Sequence, residues 1–250
     1  MEKNGQLTMF QNPFKVHSIK YLSPSSLNLF ISSPAKWVMR YLYKISEDPG
    51  PGAHRGTAIH HAVEHSLNNP EIPIEDCIQK AHALFDTKMK NSVTKSSAEL
   101  DREIIAPTVK KALVAISEFI KQNNAQYVKS ETQVKTTFQG IDVNIIGYVD
   151  ILFDKCFVDL KTTKFLGNSE NPKKDLRQVS FYSKALESNH DGSQKRPWLV
   201  YVAPAKFDIV EVKNLTVLLN ELVNAAHCLR NFLAISSDKE KLASTVVPNF

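Results

Sequence analysis

The sequence predicts an α/β protein in which a mixed β-sheet is flanked by helices and preceded by a mainly helical N-terminal part. Two observations predict this. Through about residue 125, apolar side chains recur at helical spacing, as in Trp37, Val38, Tyr41 and Leu42. Beyond that point the pattern shortens to runs rich in Val, Ile, Thr and aromatics, the composition of strands. The 250 residues are 42% hydrophobic and 23% charged, which fits an ordinary globular chain and excludes bulk disorder. They read as one domain over 1–250, helical over 1–125 and α/β over 126–250.

Residues 1–20 read as a loose leader. Ser23-Pro24-Ser25-Ser26 then offers hydroxyls for a helix cap and a proline for its first turn. Pro34 starts a second helix. Asp48-Pro49-Gly50-Pro51-Gly52 is a loop, and helices follow over 56–68, 74–91 and 97–123, the last kinked or broken at Pro107. Strands are expected over 131–139, 142–153 and 156–162, a helix over 176–187, strands over 198–203 and 208–212, and an amphipathic helix over 215–234.

Several function classes are excluded early. Neither G-x-x-x-x-G-K-[ST] nor G-x-G-x-x-G occurs, which argues against a nucleotide-driven motor or a dinucleotide dehydrogenase. Cys77, Cys156 and Cys228 are scattered and form no C-x-x-C, so a reducing, cytoplasmic setting is expected. No run of about 18 apolar residues suggests a membrane span, and Met1–Gln11 lacks the apolar region of a signal peptide. The net charge, 31 − 26 = +5, permits a polyanionic partner.

The chemistry concentrates in Gly147–Lys161. If Asp154-Lys155 is a two-residue turn, Ile151 pairs with Val158 and Asp150 falls opposite Asp159. One face then collects Val149, Ile151, Phe153, Cys156, Val158 and Leu160, all apolar, while Lys161 shares the face of Asp159. Directly opposed residues have Cα atoms about 4.5–5.5 Å apart. Two carboxylates so placed, flanked by Leu152 and Phe157, take up a proton or hold a cation, and an oxygen-rich site suits Mg²⁺ or Mn²⁺. A lone D-x-K is ordinarily a solvated strand pair; the opposed Asp150 sets this one apart.

Two helices contribute further candidates. At 100° per residue, His60 and Glu64 fall on the border of the apolar arc formed by Ile59, Val63 and Leu67, whereas His61 and His65 fall on the far side. His60 is therefore the better metal ligand, with Glu64 able to accept its proton or reach the metal through water. Gln178 and Tyr182 share a helical face. Five basic residues against two acidic between 161 and 177 form a stripe suited to phosphate. Lys164, Lys173, Lys174 and Arg177, with Arg55 upstream, are the phosphate-contact candidates.

Gly56-Thr57-Ala58-Ile59-His60, Gly147-Tyr148-Val149-Asp150, Asp159-Leu160-Lys161-Thr162 and Gln178-Val179-Ser180-Phe181-Tyr182 stand in one order along the chain. In this the chain resembles the PD-(D/E)xK nuclease superfamily, in its RecB-like exonuclease branch, over roughly residues 21–200. The resemblance implies a restriction-endonuclease-like fold and metal-dependent hydrolysis of DNA phosphodiesters. His60, Asp150, Asp159 and the Leu160 carbonyl would hold Mg²⁺ or Mn²⁺, and Lys161 would activate or position the attacking water. Gln178 and Tyr182 would support the site or meet substrate, and Glu131 sits where many relatives carry a strand glutamate. The cysteine that precedes the first proline in cluster-bearing relatives is Ser33 here, and the C-terminal third offers only Cys228, so no iron–sulfur cluster is expected. The implied role is a stand-alone exonuclease of DNA recombination, repair or phage DNA processing, acting on linear DNA, single-stranded ends included, with a recombination protein as an open partner. An endonuclease and a catalytically silent DNA-binding member of the fold remain open readings, as does the oligomeric state.

Overall fold

The computed structural model describes residues 12–167, 172–189 and 195–246. The helical part comprises α1 (Pro13–Val16), strand β1 (Tyr21–Leu22), α2 (Pro24–Ser32), α3 (Pro34–Tyr41), α4 (Pro51–Asn68), α5 (Ile74–Lys90), α6 (Ala98–Glu103) and α7 (Ile105–Asn123). Then follow β2 (Tyr127–Thr136), β3 (Asn144–Phe153), β4 (Cys156–Thr162), α8 (Lys173–Asn189), β5 (Arg196–Val202), β6 (Phe207–Glu211), α9 (Leu215–Leu233) and α10 (Lys239–Ser244). No helix among the described residues is long and apolar enough to cross a membrane.

The helix starts follow local chemistry. Ser23 and Ser26 form a reciprocal cap on α2, and Ser33 accepts the Lys36 N–H to start α3. Three expectations change. The leader is not loose throughout: residues 1–11 lie outside the described part, but Asn12 caps α1 and Phe14 is fully buried. A four-residue helix has too few positions to show a period, so this anchor is invisible to pattern reading. The kink or break expected at Pro107 within the helix over 97–123 is a break, and it falls three residues earlier, at Ile104. Pro107 lies in the first turn of α7, where a missing N–H costs nothing, and its ring would collide with the carbonyl four residues earlier had the helix continued. Helix α4 begins at Pro51, five residues before the expected start, because a proline suits a helix's first position.

The sheet is mixed. β3 pairs antiparallel with β2 along one edge, while its other edge carries β1 at its start (Leu22 opposite Ile145) and β4 at its end. β4 continues parallel to β5, which pairs antiparallel with β6. Ile151 pairs with Val158 and Leu152 with Phe157, the register expected from the alternation. There the β3–β4 ladder ends, one step short of Asp150 and Asp159. β4 therefore leaves β3 and runs on beside β5, and the sheet forks.

Both faces are covered. Ile151, Phe153, Cys156, Val158 and Leu160 pack with Val200 and Val202 against α4, α5 and α7. Leu152, Phe157, Leu199 and Tyr201 pack against α8 and α9 on the opposite face. Val149 joins this second cluster, not the face shared by Ile151 and Phe153. The cause is local: the β2–β3 ladder skips Glu131 and Asp150, between Ser130–Ile151 and Thr132–Val149, and Glu131 has a left-handed φ of +47°. The register is the same on both sides of this gap, so no residue is inserted and the break is one of local backbone conformation.

Candidate active site

The fork collects the sequence's chemical residues. Asp150 stands at its crotch and, in place of a backbone carbonyl, its carboxylate accepts the Leu160 N–H at 2.7 Å. Helix α4 lays His60 over it, with Nδ1 3.6 Å from Asp150 Oδ2. Close approach of this helix is helped by Gly56, where a Cβ would sit 3.3 Å from Thr162 Oγ1. Glu131, opposite Asp150 across the skipped rung, completes a group in which ligand atoms of His60, Glu131 and Asp150 lie within 4.8 Å of one another. Glu64 lines the same crevice. His61, by contrast, is exposed.

Asp159 is fully buried and faces Lys161, whose Nζ is 2.6 Å from Oδ2. Gln178 joins the two: its Nε2 donates to Asp159 Oδ1 at 3.4 Å, and its Oε1 accepts from Lys161 at 3.4 Å. The same amide donates to the Tyr182 hydroxyl at 2.6 Å. Gly147 is required by this packing, because a Cβ there would meet Tyr182 Cε1 at 2.5 Å and Phe181 Cε1 at 3.0 Å. Gly147→Ala is therefore expected to push Tyr182 off Gln178 and cost about 1–3 kcal/mol of stability. Urea unfolding measures it; an unchanged midpoint would mean the ring yields freely.

The electrostatics follow from crowding carboxylates where Asp159 is fully buried, Asp150 and His60 partly so, and Glu131 exposed at the rim. Burial pushes Asp150 up to about 7, against the pull of Lys161 and the Leu160 N–H, and Glu131 adds to the rise. Burial also pushes Asp159 up to about 7, with Lys161 opposing and Asp150 reinforcing it. Glu131 is raised by burial, with Glu64 and Asp159 adding to the effect. Burial lowers His60, keeping a neutral imidazole with a free lone pair. Burial also works against the Lys161 ammonium, but Asp159 and Asp150 outweigh it and hold the group charged. A charged ammonium beside Asp159 suits the stabilisation of developing negative charge.

The donor set fits a hard divalent cation. Carboxylate oxygens and one imidazole converge, and a bound cation would offset the desolvation that raises Asp150 and Asp159.

The phosphate-contact candidates separate. Arg55 is only 4% exposed and its guanidinium is bonded to Asp101, so it is not available to phosphate. Lys164 also reaches Asp101, at 2.9 Å, and Arg177 is held by Glu221 (2.6 Å) and Asn28 (3.0 Å). Lys173 and Lys174 are exposed. Charge sign is legible in a sequence; the partner that consumes it is not. For Arg55 a signal existed, since it precedes Ile59 by four residues and shares its buried stripe.

A family model of the PD-(D/E)XK nuclease superfamily matches residues 21–245. No curated protein matches. Among solved structures, a provisionally named exonuclease from Eubacterium rectale is 14% identical, with 97% of this chain and 89% of that one covered and a TM-score of 0.54. The structure of SSO0001 is 13% identical over 83% of each chain, with a TM-score of 0.33. The mixed sheet with helices on both faces is the restriction-endonuclease-like architecture, and the matched span takes in every strand of it. The chain belongs to the PD-(D/E)XK nuclease superfamily.

Proposed function

We propose that the chain is a divalent-metal-dependent deoxyribonuclease that digests DNA from its ends. The observation that carries this is the convergence of His60, Glu131 and Asp150 at the fork, beside the buried Asp159–Lys161 pair. In this reading His60, Asp150, Asp159 and the Leu160 carbonyl hold Mg²⁺ or Mn²⁺. Glu131 joins them directly, and Glu64 stands behind. The cation, when bound, supplies a polarised water and screens the phosphate. The protein's own residues do the rest: Lys161 offers its ammonium to the charge that develops on phosphorus oxygens. Gln178 fixes Lys161 against Asp159, and Tyr182 fixes Gln178. Lys173 and Lys174 meet the phosphate backbone. The exonuclease reading is supported by the RecB-like motif set and by the name of the Eubacterium rectale protein. It suits a cytoplasmic enzyme of DNA recombination, repair or phage DNA processing.

One incubation tests it. End-labelled linear DNA and closed circular DNA are compared with and without Mg²⁺. The expected result is loss of the linear species alone, and only with the cation. Cutting of the circle would make the enzyme an endonuclease; no cutting of either would make it a silent binder.

Cation binding is also expected to follow pH. Because Asp150 and Asp159 are raised to about 7, each is mostly protonated at pH 6 and must release its proton to bind. Mn²⁺ affinity should rise at least about tenfold per pH unit between 6 and 7 and level off above. Calorimetric titration shows it, and a flat profile would refute the raised carboxyls.

A further inference from the structure

Phe165 is 84% exposed, and it is the one exposed phenylalanine among those described; Phe14, Phe85, Phe119, Phe153, Phe157 and Phe181 are all essentially buried. It is not on a loose tip. On its N-terminal side the Thr163 N–H donates to Val202 O at 2.9 Å, and Lys164 is tied to buried Asp101. The Thr163 hydroxyl donates to the Phe165 carbonyl at 3.1 Å, and Leu166 packs on the α8-side core. Residues 163–166 are thus held on both sides of a ring left in water. Phe165 is also four residues beyond Lys161, a span of at most about 14 Å, within reach of the few nucleotides next to the phosphate at Lys161.

We propose that Phe165 is a base-stacking platform that takes the face of an unpaired nucleobase in the DNA strand entering the fork. An aromatic face binds any base without reading its identity, which suits an enzyme that degrades DNA progressively. Inside a duplex both faces of a base are already stacked, so only a single-stranded or frayed segment presents a free one. The substrate class is therefore DNA with an unpaired stretch next to the phosphate at Lys161. This rests on the nuclease reading of the fork.

The test compares the wild-type chain with Phe165→Ala and Phe165→Trp on two single-stranded oligonucleotides. One carries normal bases; the other carries abasic sugars at the four positions nearest the cleaved end. Both hydrolysis with Mg²⁺ and binding in EDTA, by fluorescence anisotropy, are measured. Phe165→Ala should weaken binding and raise KM about tenfold on the normal strand, with kcat within about twofold of wild type. It should lose nothing more on the abasic strand, whereas wild type and Phe165→Trp should fall about tenfold there. Wild-type KM and affinity in Phe165→Ala, or an equal abasic loss in both proteins, would overturn the platform. A base-dependent affinity that needs Phe165, without hydrolysis by any variant, would uphold the platform and sink the nuclease reading instead.

Discussion

Asp159→Asn and Lys161→Ala are each expected to lower the DNA-digesting rate by at least about a thousandfold while the protein stays folded. Loss of one preorganised charge or donor aimed at a transition state costs about a hundred- to a thousandfold, and these two residues act as a unit. The fold should survive because Asp159 is already raised to about 7 and can remain protonated when its ammonium partner is removed. The rate is read from single-turnover digestion of linear DNA, with thermal unfolding as the control for folding. His61→Ala, on the exposed side of α4, should leave the rate within about twofold of wild type. A wild-type rate in either fork variant would remove the catalytic assignment.

The largest expected loss of stability is at Asp101, far from the fork in sequence. Its carboxylate is 1% exposed and receives the Arg55 guanidinium, the Lys164 ammonium at 2.9 Å and the Ser97 hydroxyl at 3.0 Å. Asp101→Ala leaves a buried guanidinium with no counter-charge, a defect of about 3–5 kcal/mol. Removing both partners, as in Arg55→Met with Asp101→Leu, should recover most of that loss, because the desolvation of the arginine disappears with it. Urea unfolding of the single and double variants decides the matter. A loss under about 1 kcal/mol in Asp101→Ala would mean that water reaches the guanidinium.

How much of this was legible in the sequence depended on whether a side chain's neighbours were local. The 151–158 register was readable because Ile151, Phe153, Cys156 and Val158 alternate on both sides of a two-residue link. His60 and His61 separated correctly because a helix assigns each residue a direction. Glu131 was legible as a strand glutamate, but not as a neighbour of His60. That placement needs the left-handed turn at Glu131 and the skipped rung with Asp150, and neither leaves a mark in a pattern of alternation. Arg55 and Arg177 looked like a phosphate-binding surface because their partners, Asp101 and Glu221, lie 46 and 44 residues away. The β1 strand, two residues long, is set by its parallel neighbour and not by its own composition.

The fork joins two layers that never mix. His60 rides on the helices packed against one side of the sheet, while Gln178 and Tyr182 ride on the other. The spacing between these side chains is thus set through the thickness of the strands, with a packed core on each side of them. Either helical layer can drift in composition as long as it seats on the sheet at the same height, and a layer that lifts away takes His60 or Gln178 out of the fork while the strands are still paired.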